Sequence, residues 1–292
     1  MTLKTLTASK TRIGIAAATF AALVVPFPAT ADPFSFTTGA PDGRIATASR
    51  PGSTGILETE TADDFVLGST TTLNQATFTG LITGTGSFTG NIVVEIYRVF
   101  PLDSDAARTP NVPTRANSPS DVELTDRSLS GNSLSVTQSL LNASFTAANS
   151  VLNGIHPSPN QTTMGEGPVT GREVQFNVTF TSPITLDAGH YFLVPQVGVT
   201  GGDFFWLSAA GPSLSSDLQS WIRNADLDPD WLRIGTDIIG GGASAPKFNA
   251  AFSLTGVAVP GPIAGAGLPG LIAACGGLLA WWRRRRKQEV LR

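Results

Sequence analysis

Hydrophobic and polar residues alternate along much of this chain, with the two-residue period of a strand that buries one face. In the segment REVQFNVTF, residues 172–180, every second residue from Val174 onward is valine or phenylalanine. The segment KFNAAFSL, residues 247–254, repeats the alternation from Phe248. Each segment therefore predicts a β-strand with one buried face and one exposed face.

Further strands are indicated by segments rich in β-branched and aromatic residues and bounded by turn-forming residues. They are TLNQATFTGLI (72–82), GNIVVEIYRVF (90–100), HYFLVPQV (190–197) and DFFWLS (203–208). Only residues 134–148 leave the choice between helix and strand open. Many short strands separated by turns predict an all-β fold, an antiparallel β-sandwich of the jelly-roll or immunoglobulin-like type.

The N-terminus has the order of parts found in a secretory signal. The first 12 residues carry three basic side chains and no acid, an apolar run follows to Phe27, and Ala29 and Ala31 are the small residues that a signal peptidase accepts. We therefore expect residues 1–31 to direct the chain to the secretion translocon and to be cleaved after Ala31. A retained membrane helix is the alternative, but the run is shorter than the roughly 20 residues that span a bilayer.

Charge and cysteine content narrow the function of the exported domain, predicted over residues 32–256. Residues 32–258 carry 10 basic and 21 acidic side chains, a net charge of −11. Such a surface repels phosphate backbones, so nucleic acid is not an expected partner. The only cysteine, Cys275, lies beyond this domain, which therefore cannot form a disulfide.

The C-terminal region, residues 257–292, has the pattern of a membrane segment. Residues 263–282 contain 20 consecutive uncharged positions, enough for a transmembrane helix across a hydrocarbon core of roughly 30 Å. Trp281 and Trp282 are placed as an interfacial aromatic belt, and the basic tail 283–287 predicts a cytoplasmic C-terminus. The β-rich domain would then lie on the periplasmic side.

A short motif precedes this segment, and together they resemble a known kind of C-terminal signal. Val259, Pro260, Gly261 and Pro262, followed by an apolar helix, a tryptophan pair and the cluster Arg283, Arg284, Arg285 and Arg286, resemble the PEP-CTERM family of sorting signals, with Val-Pro in place of the Pro-Glu-Pro that names it. The resemblance implies export, retention by the tail and cleavage near the motif by an exosortase-like membrane protease, in Gram-negative bacteria that make exopolysaccharide. A plain stop-transfer anchor is the alternative.

A second resemblance concerns the exported domain. TADDFVL, residues 61–67, and LDAGHYFLV, residues 186–194, resemble parts of the jelly-roll-like domains found in many exosortase substrates. This resemblance implies a fold and no activity, because folds of this class carry adhesins, sugar-binding modules and enzymes alike.

Residues suited to catalysis are few. The chain has two histidines, His156 and His190, and no cysteine in the domain, which disfavours a zinc site. No Gly-x-Ser-x-Gly motif is present to suggest a hydrolase nucleophile. In an extended strand Asp63 and Asp64 point to opposite faces, so we do not expect them to act as an acid–base pair, and one of them is free to bond a loop backbone.

The densest acidic cluster lies in RNADLDPDWLRIGTD, residues 223–237. Asp226, Asp228, Asp230 and Asp237 have the spacing of carboxylates in an EF-hand calcium loop, but Trp231 occupies the position that requires glycine. A calcium loop of another kind and a solvated acidic turn both remain open.

Three tryptophans, Trp206, Trp221 and Trp231, fall close together in the sequence. Exposed flat rings beside Asp and Asn side chains would suit contact with a carbohydrate such as an exopolysaccharide, and core packing is the alternative. We expect Trp221 and Trp231 to be the exposed pair, because acidic residues surround them.

Three functions follow from these patterns. The first is a non-enzymatic cell-surface or extracellular-matrix protein in an exopolysaccharide or biofilm context, held at the inner membrane in transit. The second is a carbohydrate-binding module, which needs exposed tryptophans. The third is a secreted hydrolase, which needs carboxylates or a histidine triad to converge in space.

Overall fold

The computed structural model describes residues 31–108, 116–155, 162–211, 219–259 and 268–289. Chain contacts divide the molecule into two units, a β unit that covers Thr30–Gly261 and a second unit that includes the C-terminal helix. The signal peptide apart from Ala31, the motif residues Pro260, Gly261 and Pro262, and His156 lie outside the described residues.

The described residues of the β unit form fifteen strands. The strands are β1 (Pro33–Thr37), β2 (Pro41–Ala48), β3 (Thr59–Leu67), β4 (Thr71–Ile82), β5 (Ser87–Val99), β6 (Pro119–Ser128), β7 (Leu134–Ala147), β8 (Ser150–Val151), β9 (Val169–Leu186), β10 (Gly189–Thr200), β11 (Phe204–Ala209), β12 (Trp221–Asn224), β13 (Leu232–Arg233), β14 (Asn249–Ala250) and β15 (Phe252–Ala258). A π-helix, Ile234–Ile239, and a 3₁₀ turn, Gly242–Ser244, separate β13 from β14.

The larger of two sheets is organised around β4. One edge of β4 pairs with β9, and β7 pairs with the far side of β9. The other edge pairs first with β15, which pairs with β1, and then with β11, which pairs with β2 and β14. Gly80 lies where the partner of β4 changes from β15 to β11. A Cβ at this position would collide with the Phe204 ring. All these pairs are antiparallel, whereas β2 and β8 are parallel.

The smaller sheet has the antiparallel order β13-β12-β3-β10-β5-β6. Its inner face and the larger sheet contribute to one apolar core, in which Phe65 and Ile96 of the smaller sheet belong to the same cluster as Phe78, Phe176 and Phe204 of the larger. The ring centroids of Phe78 and Phe176 are 5.2 Å apart. Burial of large aromatic rings is the main apolar contribution to stability here.

The outer face of the smaller sheet is buried as well. Tyr97, Phe192, Trp221 and Trp231, with smaller neighbours, form a separate apolar cluster there. Trp231 follows β12 and folds back over the sheet, where its indole N–H donates to the Ser120 carbonyl at 3.2 Å. We call this cluster, together with the polar side chains beside it, the outer layer.

The predicted all-β, mostly antiparallel class is confirmed in this coarse form, as two sheets. The alternation that begins at Val174 is confirmed in β9, where all four apolar residues are buried. The segment 247–254 buries Phe248, Ala250, Phe252 and Leu254 as predicted. Asn249 and Ala251 are buried as well, so the predicted exposed face is wrong there, and the ladder breaks at Ala251 into two strands. Residues 134–147, left open by the sequence, form β7.

The C-terminal unit contains helix α1, Leu268–Glu289. The predicted transmembrane helix over residues 263–282 is not confirmed, because no helix in the described part of the chain is both long enough and apolar enough to cross a membrane. The helix continues through Arg283 and its neighbours, so charged residues occupy its last turns. Those of its apolar side chains that the structure describes, including Ile272, Trp281 and Trp282, are exposed.

Candidate functional site

The most concentrated polar site in the described residues is a cleft of about 220 Å³ on the outer face of the smaller sheet. We call it the acidic cleft. It is lined by Glu58, Glu60, Glu95, Tyr97, Glu123, Arg223, Ala225 and Asp228.

Strand register places the residues on the floor of the acidic cleft. Arg223 of β12 lies directly opposite Glu60 of β3. Two strands away, Glu95 and Tyr97 occupy alternate positions of β5 and therefore share a face. Val194 of the intervening β10 lies opposite Glu95.

Arg223 is the centre of this arrangement and is only 5% exposed. Its guanidinium forms a close ion pair with Glu60, donates to the Tyr97 hydroxyl at 2.8 Å and pairs with Asp228 at 2.6 Å. The guanidinium also lies 4.4 Å from the ring centre of Trp231. Burial acts to lower the pKa of Arg223, but the charge of Glu60, the hydrogen bond to it and the other nearby groups together outweigh this effect, and the pKa rises.

The Tyr97 hydroxyl connects two carboxyl groups, because its oxygen lies 3.0 Å from Glu60 and 3.2 Å from Glu95. A phenol has one proton to donate, so the second carboxyl must bring its own proton to bond there. Burial, with the charge of Glu60 and a hydrogen bond to it, raises the pKa of Glu95 to about 9. At neutral pH the floor therefore holds one carboxylic acid, a second carboxyl that faces Arg223, a phenol and a guanidinium.

This geometry does not suit the predicted hydrolase. Glycosidases place a substrate between carboxyl groups that are roughly 5 to 9.5 Å apart. Here Glu60 and Glu95 hydrogen bond to each other and share one phenol, so no substrate atom fits between them. Glu60 is also nearly buried and paired with Arg223. The cluster is a satisfied buried network.

The described histidine does not complete a catalytic set. His190 Nε2 lies 3.9 Å from Asp64 Oδ2, beyond hydrogen-bonding distance. Burial raises the pKa of Asp64 to about 6 and lowers that of His190. Asp63 faces the other side of β3, where it accepts the Ala250 backbone N–H at 2.8 Å and the Ser220 hydroxyl at 3.0 Å. Asp63 thus joins the two sheets.

The tryptophans expected to contact sugar are buried. Trp206, Trp221 and Trp231 are each at most 2% exposed, and the expected exposure of Trp221 and Trp231 is wrong. Trp221 lies opposite the small residue Ala62 in the neighbouring strand, which leaves room for the indole. The charged neighbours cover the rings, since the Arg233 guanidinium lies over Trp221 as that of Arg223 lies over Trp231.

The four aspartates of the proposed calcium loop do not converge. Asp228 pairs with Arg223, Asp230 pairs with Arg108 at 2.6 Å, and Asp237 accepts the Arg233 backbone N–H. Asp226 is exposed. Across the described ranges, no group of three or more acidic, histidine or cysteine side chains is placed to hold a metal ion.

The two ends of the β unit lie side by side. Strand β1 pairs with β15 from Pro33 opposite Val257 onward. Beyond this ladder, the Ala258 N–H donates to the Asp32 carbonyl at 2.8 Å, and the Val259 N–H donates to the Thr70 carbonyl at 2.7 Å. The predicted signal cleavage after Ala31 and the start of the predicted sorting motif therefore fall at the outermost backbone hydrogen bonds among the described residues of the unit.

Comparison with protein-family models, with curated proteins and with solved structures found no match to this chain.

Proposed function

We propose that this chain is an exported, non-enzymatic cell-surface or extracellular-matrix protein whose folded part is a β-sandwich processed at both ends. The observation that carries the proposal is the position of the two ends of the β unit. Both predicted cleavage points lie directly outside the hydrogen bonds of Asp32 and Val259, so cleavage at both points leaves every ladder of the β unit intact.

The end of the last strand supports the same proposal. Strand β15 ends at Ala258, directly before the Val-Pro-Gly-Pro motif. A protease needs an extended segment, and proline disfavours helix at the residue before it. Pro260 and Pro262 make the motif suitable for an exosortase-like enzyme.

The C-terminal region supplies the proposed retention step. Its uncharged residues 263–282 would hold the protein in the inner membrane in transit, with the basic tail in the cytoplasm. In α1 the Arg286 guanidinium lies 3.8 Å from the ring centre of Trp282, which joins an interfacial aromatic to the cationic end. After cleavage the β-sandwich would reach the cell surface or the exopolysaccharide matrix.

No observation specifically supports either alternative function. The carbohydrate-binding module loses its proposed contacts, because Trp221 and Trp231 are buried. The hydrolase loses its carboxylate pair, because Glu60 and Glu95 bond each other in a closed network.

Mass spectrometry of the protein recovered from its native envelope tests the proposal. We expect an N-terminus at Asp32 and a C-terminus within residues 259–262. Replacing Pro260 and Pro262 with alanine should leave export intact while the uncleaved form accumulates in the inner membrane. Pro269→Ala, in the tail but outside the motif, is the matched control and should be processed normally. Recovery of an intact peptide containing Trp281 and Trp282 from most wild-type molecules would instead indicate a plain anchor.

A further inference from the structure

Strand β7 is a long edge strand that lacks the features that usually protect such an edge. It is 14 residues long, contains no charged residue and no proline, and pairs with β9 along one side. No described strand pairs with its other side. An unpaired edge presents free backbone N–H and C=O groups, and proteins protect such edges with charges, proline or short length.

The other edges in the described residues have that protection. Strand β6 begins with Pro119 and carries Asp121, Glu123, Asp126 and Arg127. Strand β1 has five residues and also begins with proline, and β8 and β13 have two residues each. The lack of protection in β7 is therefore specific to that strand.

The face of β7 that packs against the core at Leu134 continues past the last residue that the core covers. Leu134 is buried and Val136 is partly buried, and the next residues of the same face, Gln138 and Leu140, are exposed. Leu140 lies opposite the buried Val174, yet it is itself 61% exposed. The apolar face of the larger sheet thus continues to an uncovered leucine at its edge.

The pairing of β7 with β9 is regular from Leu134 to Leu140 and then shifts register twice before Phe145. Bulges twist an edge away from a partner, so the second half of the strand is a poor template. The regular half, residues 134–140, is the part that can accept another strand.

From these observations we propose that β7 pairs antiparallel with β7 of a second copy of this chain, about a two-fold axis at Thr137. Opposed residues of antiparallel strands both direct their backbone groups toward the partner or both away from it. A symmetric pairing of a regular strand must therefore be centred on a residue, and Thr137 is the middle of the regular half. This arrangement places Leu140 of each copy opposite Leu134 of the other.

Charge favours a second copy at this edge over the long edge at β6. The β unit has a net charge of −11 over residues 32–258, so two copies repel each other at most surfaces. Pairing through β7 brings only neutral side chains together, whereas pairing through β6 would oppose acidic residues. The resulting interface is isologous and closes after two copies. It does not depend on the processing proposed above.

Cysteine cross-linking of the full chain in non-ionic detergent tests both the pairing and its centre. In a Cys275→Ser background, Thr137→Cys would face its own copy at a Cα separation of about 4.5–5.5 Å, within the range of roughly 4.4–6.8 Å that a disulfide accepts. Ser139→Cys is the matched control, because its two copies would be four residues out of register, about 13 Å apart. We expect mild oxidation to convert most of the Thr137→Cys protein to a covalent dimer and little of the Ser139→Cys protein.

Sedimentation velocity of the same full chain supplies a second readout. Thr137→Lys places two like charges at the axis and should give a monomer, whereas Thr179→Lys, on an exposed position of β9 away from the edge, should remain a dimer. Thermal unfolding checks that both variants fold. A wild-type chain that stays monomeric at high concentration, or equal cross-linking of both cysteine variants, would overturn the proposed pairing.

Discussion

The smaller sheet buries both of its faces, and the two faces do so by different chemistry. On the inner face, Phe65 and Ile96 belong to an apolar core shared with the larger sheet. On the outer face, Arg223, Glu60 and Tyr97 are equally inaccessible but are held by ion pairs and hydrogen bonds. Burial alone therefore does not say which force stabilises a layer.

The difference has consequences for how each face responds to change. Apolar contacts are roughly proportional to area, so loss of one ring in the inner core costs its own transfer and cavity energy. In the outer layer Arg223, Glu60 and Tyr97 bond one another, so loss of one partner leaves a second buried group unsatisfied. The aromatic and aliphatic side chains of the inner face should be insensitive to pH, and the outer network should depend on it. Asp63, on the inner side of β3, is an exception, because burial raises its pKa.

Arg223→Met is the strongest test of the outer layer. It removes the guanidinium and leaves the Glu60 carboxyl buried without its ion pair, which we expect to cost about 3–5 kcal/mol of unfolding free energy. Urea unfolding followed by the fluorescence of the buried tryptophans measures this loss. Adding Glu60→Gln should restore part of it. Arg44→Met, at an exposed position, is the control and should change stability by less than about 0.5 kcal/mol. An equally small loss for Arg223→Met would mean that the ion pair does not hold the outer layer.

Phe176→Ala tests the inner face. Phe176 is fully buried and its ring lies 5.2 and 5.5 Å from those of Phe78 and Phe204, so the cavity should cost about 3–5 kcal/mol. The loss should be the same at pH 5 and pH 8, because the rings packed around Phe176, those of Phe78, Phe88 and Phe204, carry no ionisable group. Val122→Ala, on the exposed side of β6, is the matched control for an apolar truncation. A loss that varies with pH would contradict the proposed division between the two faces.

The strands of both faces could be predicted from the sequence, because the two-residue period is a local signal. Val174 and Phe176 show it within a single segment, and the structure buries both. The polar network could not be predicted in this way. Tyr97 and Glu60 are 37 positions apart, and Arg223 and Glu60 are 163 positions apart. The available clue was Glu95, an acid within an otherwise apolar strand segment.

The exposure of the tryptophans also could not be predicted from the local sequence. Acidic neighbours in the sequence suggested that Trp221 and Trp231 face solvent. In the structure the nearby arginines cover the rings, and the Trp231 N–H reaches the carbonyl of Ser120, 111 positions away. Exposure depends on such distant partners, which local charge patterns do not encode.

The pH dependence of stability should separate the two faces further. Burial raises the pKa of Glu95 to about 9 from an ordinary value of 4.5. Between these values the folded protein keeps a proton that the unfolded chain has lost, so this contribution is full below pH 4.5 and disappears as the pH rises through 9. Each proton so held gives a slope of up to about −1.4 kcal/mol per pH unit. Burial also raises the pKa of Asp64 to about 6, which adds to the decline near its lower end. Urea unfolding at intervals from pH 5 to pH 9 measures the slope, and a flat or rising profile would contradict this assignment.

Glu95→Gln should change the free energy of unfolding at neutral pH less than Arg223→Met or Phe176→Ala does. It also tests whether the slope of stability against pH is due to Glu95. The amide has the shape of the protonated acid and can donate from the same position toward Tyr97 and Glu60, so we expect a change of less than about 1 kcal/mol at pH 7. The variant has no proton to lose, and its stability should therefore fall less steeply than that of the wild type between pH 7 and pH 9. Glu123→Gln, at the exposed rim of the acidic cleft, is the matched control and should keep the wild-type slope. If Glu95→Gln keeps that slope as well, the proton is held elsewhere in the protein, and the outer layer is a network of ionised groups in which Glu95 takes no special part.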